Sequence, residues 1–196
     1  MARPLQHDRD EALQQAVILF WRQGYFATSM KDIERALNMR PGSIYASFGS
    51  KEVLFTRALA CYTQQQIATY EALLIAHGDP FAATVDFLQQ FGQPTPASIP
   101  SAVCFLVKSL LEVEGQQDDS LASQVRLHLA AMEAAFYRAF LPVLAEPQAR
   151  QLAQWLQKEV IGIRIMASQL GDSPALARLV AESVKTLQRW PRSESW

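Results

Sequence analysis

The chain has 196 residues, 49% of them hydrophobic and 19% charged, with a formal charge of −1; it is long enough for a packed core and too apolar for a disordered chain. Apolar stretches such as Ala102–Val107 fall short of the roughly 20 residues that span a bilayer, so no membrane segment is expected. Two cysteines without a CxxC pair and three scattered histidines exclude a disulfide framework and a recognisable metal motif.

No cofactor and no metal are therefore expected. Met1-Ala2-Arg3-Pro4 leads into Arg9, Asp10 and Glu11 without an apolar core, which predicts a cytoplasmic protein rather than a secreted one. Before residue 61, eight basic residues outnumber six acidic ones, and the remainder is net acidic. That asymmetry suits a small DNA-binding head on a body with a different role.

Taken in order, almost every segment has helical periodicity, and the fold class is all-α. Asp8 with Glu11 reads as a capping box opening a helix over about 9–23, whose inner face is Leu13, Ala16, Val17, Phe20 and Trp21, with Gly24 as its stop. A short second helix begins near Thr28 or Ser29, where Asp32 completes a capping box, and buries Ile33, Ala36 and Leu37. Asn38 suits a left-handed turn and Pro41 the first position of a third helix ending at Phe48. Ser50 caps a long fourth helix running to about His77, without a flexible linker. Further helices are predicted at about 81–91, 101–114, 121–141, 147–170 and 174–190, with a proline-rich loop over Gly92–Pro100 and a frayed tail from Pro191 to Trp196.

Two short helices joined by a tight turn and braced by longer ones form the layout of a helix-turn-helix, with Ile44 and Phe48 anchoring the second and Gly42, Ser43, Tyr45, Ala46 and Ser47 facing outward. The residues Ala16, Phe20, Gly24-Tyr25, Thr28-Ser29-Met30, Asp32-Ile33, Ala36, Gly42-Ser43-Ile44-Tyr45, Phe48 and Ser50-Lys51-Glu52 resemble the head of the TetR/AcrR family of transcriptional regulators. The resemblance covers about residues 10–57. It departs from the common pattern at Pro41, often lysine, and at Ala46-Ser47, where Tyr-His is frequent.

The resemblance implies a helix-turn-helix DNA-binding domain over 1–57, joined by the long helix to a helical ligand-binding and dimerisation domain over 58–196. It places Thr28, Tyr45 and Lys51 on phosphates and Arg40, Gly42, Ser43 and Ser47 near base edges. Physical chemistry agrees: hydroxyls and free amides at a helix start suit a phosphate, and an arginine fork suits guanine.

The body of the family encloses a small-molecule site. Phe87, Phe91, Phe105 and Met132, with Phe136, Trp155 and Met166, supply aromatic and thioether surface for a hydrophobic or aromatic effector. The last two helices of the family pair between subunits; here Leu152, Leu156, Val160 and Ile163 on one, and Leu176, Val180, Val184 and Leu187 on the other, are the candidate dimer face, with Gly162, Ala167 and Ser168 allowing close approach. Ala102–Lys108 resembles a cysteine-bearing segment of one subgroup. Cys104 is thus a candidate covalent sensor if Lys108 stands beside it and favours thiolate, the competing reading being a buried core thiol.

The function so implied is a homodimeric repressor that binds double-stranded DNA at an inverted-repeat operator and leaves it when a small effector binds. A redox-sensing repressor using Cys104 is the alternative, with activation of transcription also open. A helical-bundle enzyme built on Glu112/Glu114 and Asp118/Asp119 lacks histidine partners and inward spacing; solvated charge is the better account, and no enzyme is expected.

Overall fold

The computed structural model describes residues 4–94, 99–116 and 119–192, of which 4–8 by backbone alone. Every regular element among them is an α-helix: α1 (Pro4–Gln23), α2 (Met30–Leu37), α3 (Pro41–Phe48), α4 (Lys51–His77), α5 (Pro80–Gln90), α6 (Phe105–Val113), α7 (Ser120–Phe140), α8 (Glu146–Leu170) and α9 (Pro174–Gln188). Two boundaries differ from expectation. Asp8 lies inside α1, which begins at Pro4, so it does not cap that helix. Helix α6 starts four residues after the expected Ser101, because the Ser101 hydroxyl accepts from the nearby Val103 amide (3.2 Å) in a local turn that competes with a helical start. Residues 95–98 of the proline-rich loop and 193–196 of the tail lie outside the described residues.

The described chain divides into two compact units. The first runs to Gln64 and takes in Phe105–His128; the second comprises Gln65–Cys104 and Leu129 onward. In the first, Ala16, Phe20 and Trp21 of α1, Ile33 and Leu37 of α2, Ile44 and Phe48 of α3, and Phe55 and Tyr62 of α4 are buried together with Phe105. The rings of Phe20 and Phe55 meet edge to face at 5.2 Å, those of Trp21 and Tyr62 at 5.1 Å, and those of Tyr62 and Phe105 at 5.6 Å. Each such side chain contributes roughly 1.5–3 kcal/mol by leaving water, which is how helices of only eight residues, too short to persist alone, are held.

The second unit is built on α5, α8, α9 and parts of α4 and α7. Tyr70, Phe87 and Phe136 form its aromatic centre, with Tyr70 5.1 Å from each of the other rings. Thr84 donates its one hydroxyl proton to the Pro80 carbonyl (2.7 Å), so Tyr70 is the donor in the 2.8 Å bond between the two hydroxyls. Burial pushes the Tyr70 phenol up to about 12.

In the first unit, burial pulls the His128 imidazole below its ordinary value of 6.5. Stability from keeping it neutral is complete above that value and is lost as pH falls through the lower folded-state value, because the unfolded chain takes the proton first. A His128→Gln variant is expected to lose less stability than wild type in urea melts between about pH 7.5 and pH 5. Equal losses would show that His128 contributes nothing.

Candidate nucleic-acid interface

The turn into the helix-turn-helix is fixed by local chemistry. Ser29 caps α2 with both halves of a capping box: its hydroxyl accepts from the Asp32 amide (3.2 Å), and the Asp32 carboxylate accepts from the Ser29 amide (2.9 Å). These bonds hold the Asp32 carboxyl below its usual range. Asn38 takes the left-handed conformation (φ 50°) and Pro41 opens α3, both as the sequence predicts.

Helix α3 is anchored on one side and open on the other. Ile44 and Phe48 are buried, while Gly42, Ser43 and Ala46 are exposed and Tyr45 is 52% exposed. Arg57 of α4 donates to the Ser47 carbonyl (3.2 Å) and lies over the Phe48 ring at 5.9 Å, so the far end of α3 is pinned to the next helix. Arg40, Ser43, Ala46 and Ser47 open onto a groove of about 980 Å³ that Arg9 and Gln15 of α1 also line. Glu11 of α1 lines the same groove, and nothing in sequence spacing alone joins that face of α1 to α3.

Lys51 stands in the first turn of α4, which Ser50 caps through the Val53 amide (3.1 Å). Its ammonium lies 4.5 Å from the centre of the Tyr25 ring. Burial lowers its pKa, and the Glu112 carboxylate opposes that shift.

Thr28 departs from expectation. It is 1% exposed and its hydroxyl donates to the Gly24 carbonyl at 2.5 Å, so its side chain braces the turn between α1 and α2 instead of facing outward. The exposed hydroxyl at that helix start belongs to Ser29.

Of the residues expected at the effector site, Phe87 meets Phe91 at 5.1 Å and Phe136 at 5.9 Å in the second unit. Phe105 belongs to the first unit, where it packs on Trp21, Phe55 and Tyr62. In the second unit Phe87, Met132 and Phe136 are buried core, whereas Phe91 and Trp155 are half-buried, against Phe87 and Trp190 respectively. Met166 lines a groove between α8 and α9. Cys104 is half-buried just before α6, and Lys108, expected as its helper, gives two of its three donors to the Trp21 and Arg22 carbonyls (2.8 Å each). Sequence reasoning passed over Arg164 within the apolar run of α8. It is 8% exposed, donates to the Ala102 carbonyl (3.1 Å) and lies 5.5 Å from the Phe91 ring centre.

The expected dimer face is likewise revised. Leu152, Leu156, Ile163, Leu176, Val180, Val184 and Leu187 are buried within the chain itself; only Val160 is half-buried. The apolar stripes of α8 and α9 complete the unit's own core. What remains open between the two helices is a groove of about 710 Å³ lined by Lys158, Gly162, Met166, Arg178, Leu179 and Glu182, among others. Of the acidic pairs, Glu114 and Asp119 hold Arg126 at 2.8 and 2.9 Å, and Asp118 lies outside the described residues.

A capped short helix, a left-handed turn and a second helix anchored by one face and open on the other define a helix-turn-helix transcriptional regulator. The sequence profile of the bacterial regulatory proteins of the tetR family matches residues 12–58. The HTH-type transcriptional repressor ComR of Escherichia coli is 28% identical over 96% of this chain and 91% of its own. Among solved structures, a cysteine mutant of the TetR-family regulator CifR in complex with a 26-base-pair operator duplex is 26% identical, with a TM-score of 0.76 over 93% of this chain and 96% of that one. A regulator from Cytophaga hutchinsonii, 16% identical, shares the fold with a TM-score of 0.79 over 100% of this chain and 99% of that one. Residues 12–58 thus match the tetR-family profile, and the chain is similar over most of its length to TetR-family transcriptional regulators.

Proposed function

We propose that the chain is a cytoplasmic, dimeric repressor, not an enzyme, that reads an inverted-repeat operator with α3 and is released by a small, mostly apolar effector. The observation that carries the reading is the two-sided α3: Ile44 and Phe48 are locked into the core while Tyr45, Gly42 and Ser43 are exposed, with Lys51 in the first turn of the helix that follows. The solved CifR relative sits on operator DNA. In this chain Tyr45 and Lys51 take phosphates, Arg40, Gly42, Ser43 and Ser47 lie by base edges, and Thr28 supports them from within. Dimerisation uses the outer groove of α8 and α9, because the inner faces are already occupied. The effector meets the half-buried aromatic surface of the second unit, Phe91 and Trp155, rather than its closed centre. The covalent alternative has less support, because the Lys108 ammonium already donates to the Trp21 and Arg22 carbonyls.

Retardation of the inverted repeat beside the gene, measured across a salt series, tests this. Tyr45→Phe and Lys51→Ala are each expected to weaken binding to operator and unrelated DNA alike, and Lys51→Ala to reduce the salt slope by about one. Addition of a panel of aromatic compounds to the wild-type complex should release the DNA. Unchanged affinity in both variants would sink the docking; release only by oxidants or electrophiles, abolished in Cys104→Ser, would replace the apolar effector by covalent sensing.

A further inference from the structure

Helix α1 stops abruptly at Gly24 (φ +87°), and the next two rungs of its hydrogen-bond ladder are missing. Continued helix would join the Tyr25 amide to the Trp21 carbonyl and the Phe26 amide to the Arg22 carbonyl. Instead the Glu112 carboxylate accepts from the Tyr25 amide (2.8 Å) and the Phe26 amide (2.7 Å), while the Lys108 ammonium donates to the Trp21 and Arg22 carbonyls (2.8 Å each). Lys108 and Glu112 are one turn apart on one face of α6. Their charges match the groups they meet, a cation at the carbonyl end of a helix and an anion on unsatisfied amides. Glycine also leaves room for the carboxylate in this position, because a Cβ at Gly24 would stand 2.6 Å from a Glu112 oxygen and the side chain would have to shift.

We propose that Glu112 and Lys108 are positioning residues for DNA binding, holding the end of α1 so that Tyr25 sets where the Lys51 ammonium stands. The inference rests on the reading of Lys51 as a phosphate contact. Its geometry is a chain of direct contacts within one compact unit: Glu112 to the Tyr25 backbone, and the Tyr25 ring to Lys51 at 4.5 Å. Tyr25 also packs on Phe55 of α4 at 4.8 Å, so its ring links the turn after α1 to the helix that carries Lys51.

Glu112 is the diagnostic member, because the sign of its effect separates positioning from plain charge. As a bulk charge beside a DNA-binding face, removal of this carboxylate would strengthen binding to a polyanion; as a positioning residue, removal weakens it. With a fluorescein-labelled duplex of arbitrary sequence, about 30 base pairs long to accept two heads one helical turn apart, Glu112→Ala is expected to bind about tenfold more weakly than wild type. Its salt slope falls toward that of Lys51→Ala. In a Lys51→Ala background the same change has at most about a twofold effect. Glu112→Gln, which keeps one oxygen for the two amides, replaces the alanine variant if that one does not fold, and carries the same expected sign.

Wild-type or tighter binding by the Glu112 variant, with Lys51→Ala weakened, overturns the positioning role and leaves the docking intact. Equal weakening by the Glu112 change with and without Lys51 overturns it too, since the effect then bypasses the ammonium. If Lys51→Ala alone binds as wild type, the phosphate reading fails and the inference falls with it.

Discussion

Gly24→Ala is expected to lower stability by on the order of 3 kcal/mol and to cost DNA binding with it. A non-glycine residue in a positive-φ conformation costs about 1–3 kcal/mol, and Gly24 has φ +87°. The added methyl carbon would also lie 2.6 and 2.8 Å from the two Glu112 oxygens, far inside contact, so the carboxylate must shift and its bonds to the Tyr25 and Phe26 amides are weakened or lost. Each charge-assisted bond lost is worth about 1.5–3 kcal/mol at most, since water replaces part of it at the half-exposed site. For a chain of this size, roughly 3 kcal/mol corresponds to a melting point about 6–12 °C lower. Circular dichroism melts measure this directly. Combining Gly24→Ala with Glu112→Ala removes the clash and leaves the strain, so the double variant should lose less than the sum of the single losses. An unchanged melting point for Gly24→Ala would show that the carboxylate does not depend on this glycine.

Leu179→Glu is expected to convert the proposed dimer to monomer at micromolar concentration and to abolish binding to paired half-sites, while each chain remains folded. Leu179 lines the open groove between α8 and α9 with Met166 and Gly162, and a two-fold interface brings each substituted position to the same patch twice. A carboxylate there must be dehydrated, and Lys158 and Arg178 of the same groove offset only part of a cost on the order of several kcal/mol per interface. Val184→Glu makes the contrast. Its side chain is 8% exposed within the chain, so a charge there unfolds the second unit instead of separating subunits. Sedimentation and thermal melts on the same samples distinguish the two outcomes. A Leu179→Glu protein that remains a dimer would exclude this groove as the interface.

Much of the head was legible in the sequence because its signals are local. Ser29 with Asp32, Asn38, Pro41 and Ser50 specify caps and turns through bonds and backbone angles that span three or four residues, and the structure forms them where the spacing places them. Ile44 and Phe48, four apart, mark the buried side of α3 and thereby its open side. Thr28 shows the limit even here. A hydroxyl beside a helix start reads as exposed, yet the fold turns it inward onto the Gly24 carbonyl.

The sequence by itself determined that the chain is helical, where most helices end, and which face of each is apolar, since helical period and capping chemistry are properties of short segments. Only the tertiary structure decided what each face meets. The same stripe that suggests a dimer interface in Leu156, Val180 and Val184 is satisfied within the chain, and Phe105, assigned by its aromatic character to an effector cavity, fills the core of the DNA-binding unit. Lys108 and Glu112 looked like a thiolate helper and a solvated acid. They instead replace two rungs of a helix some 86 residues earlier. Such pairings are invisible to periodicity for a physical reason: burial and charge compensation depend on what lies across a contact, and residues far apart in the chain carry no local record of it.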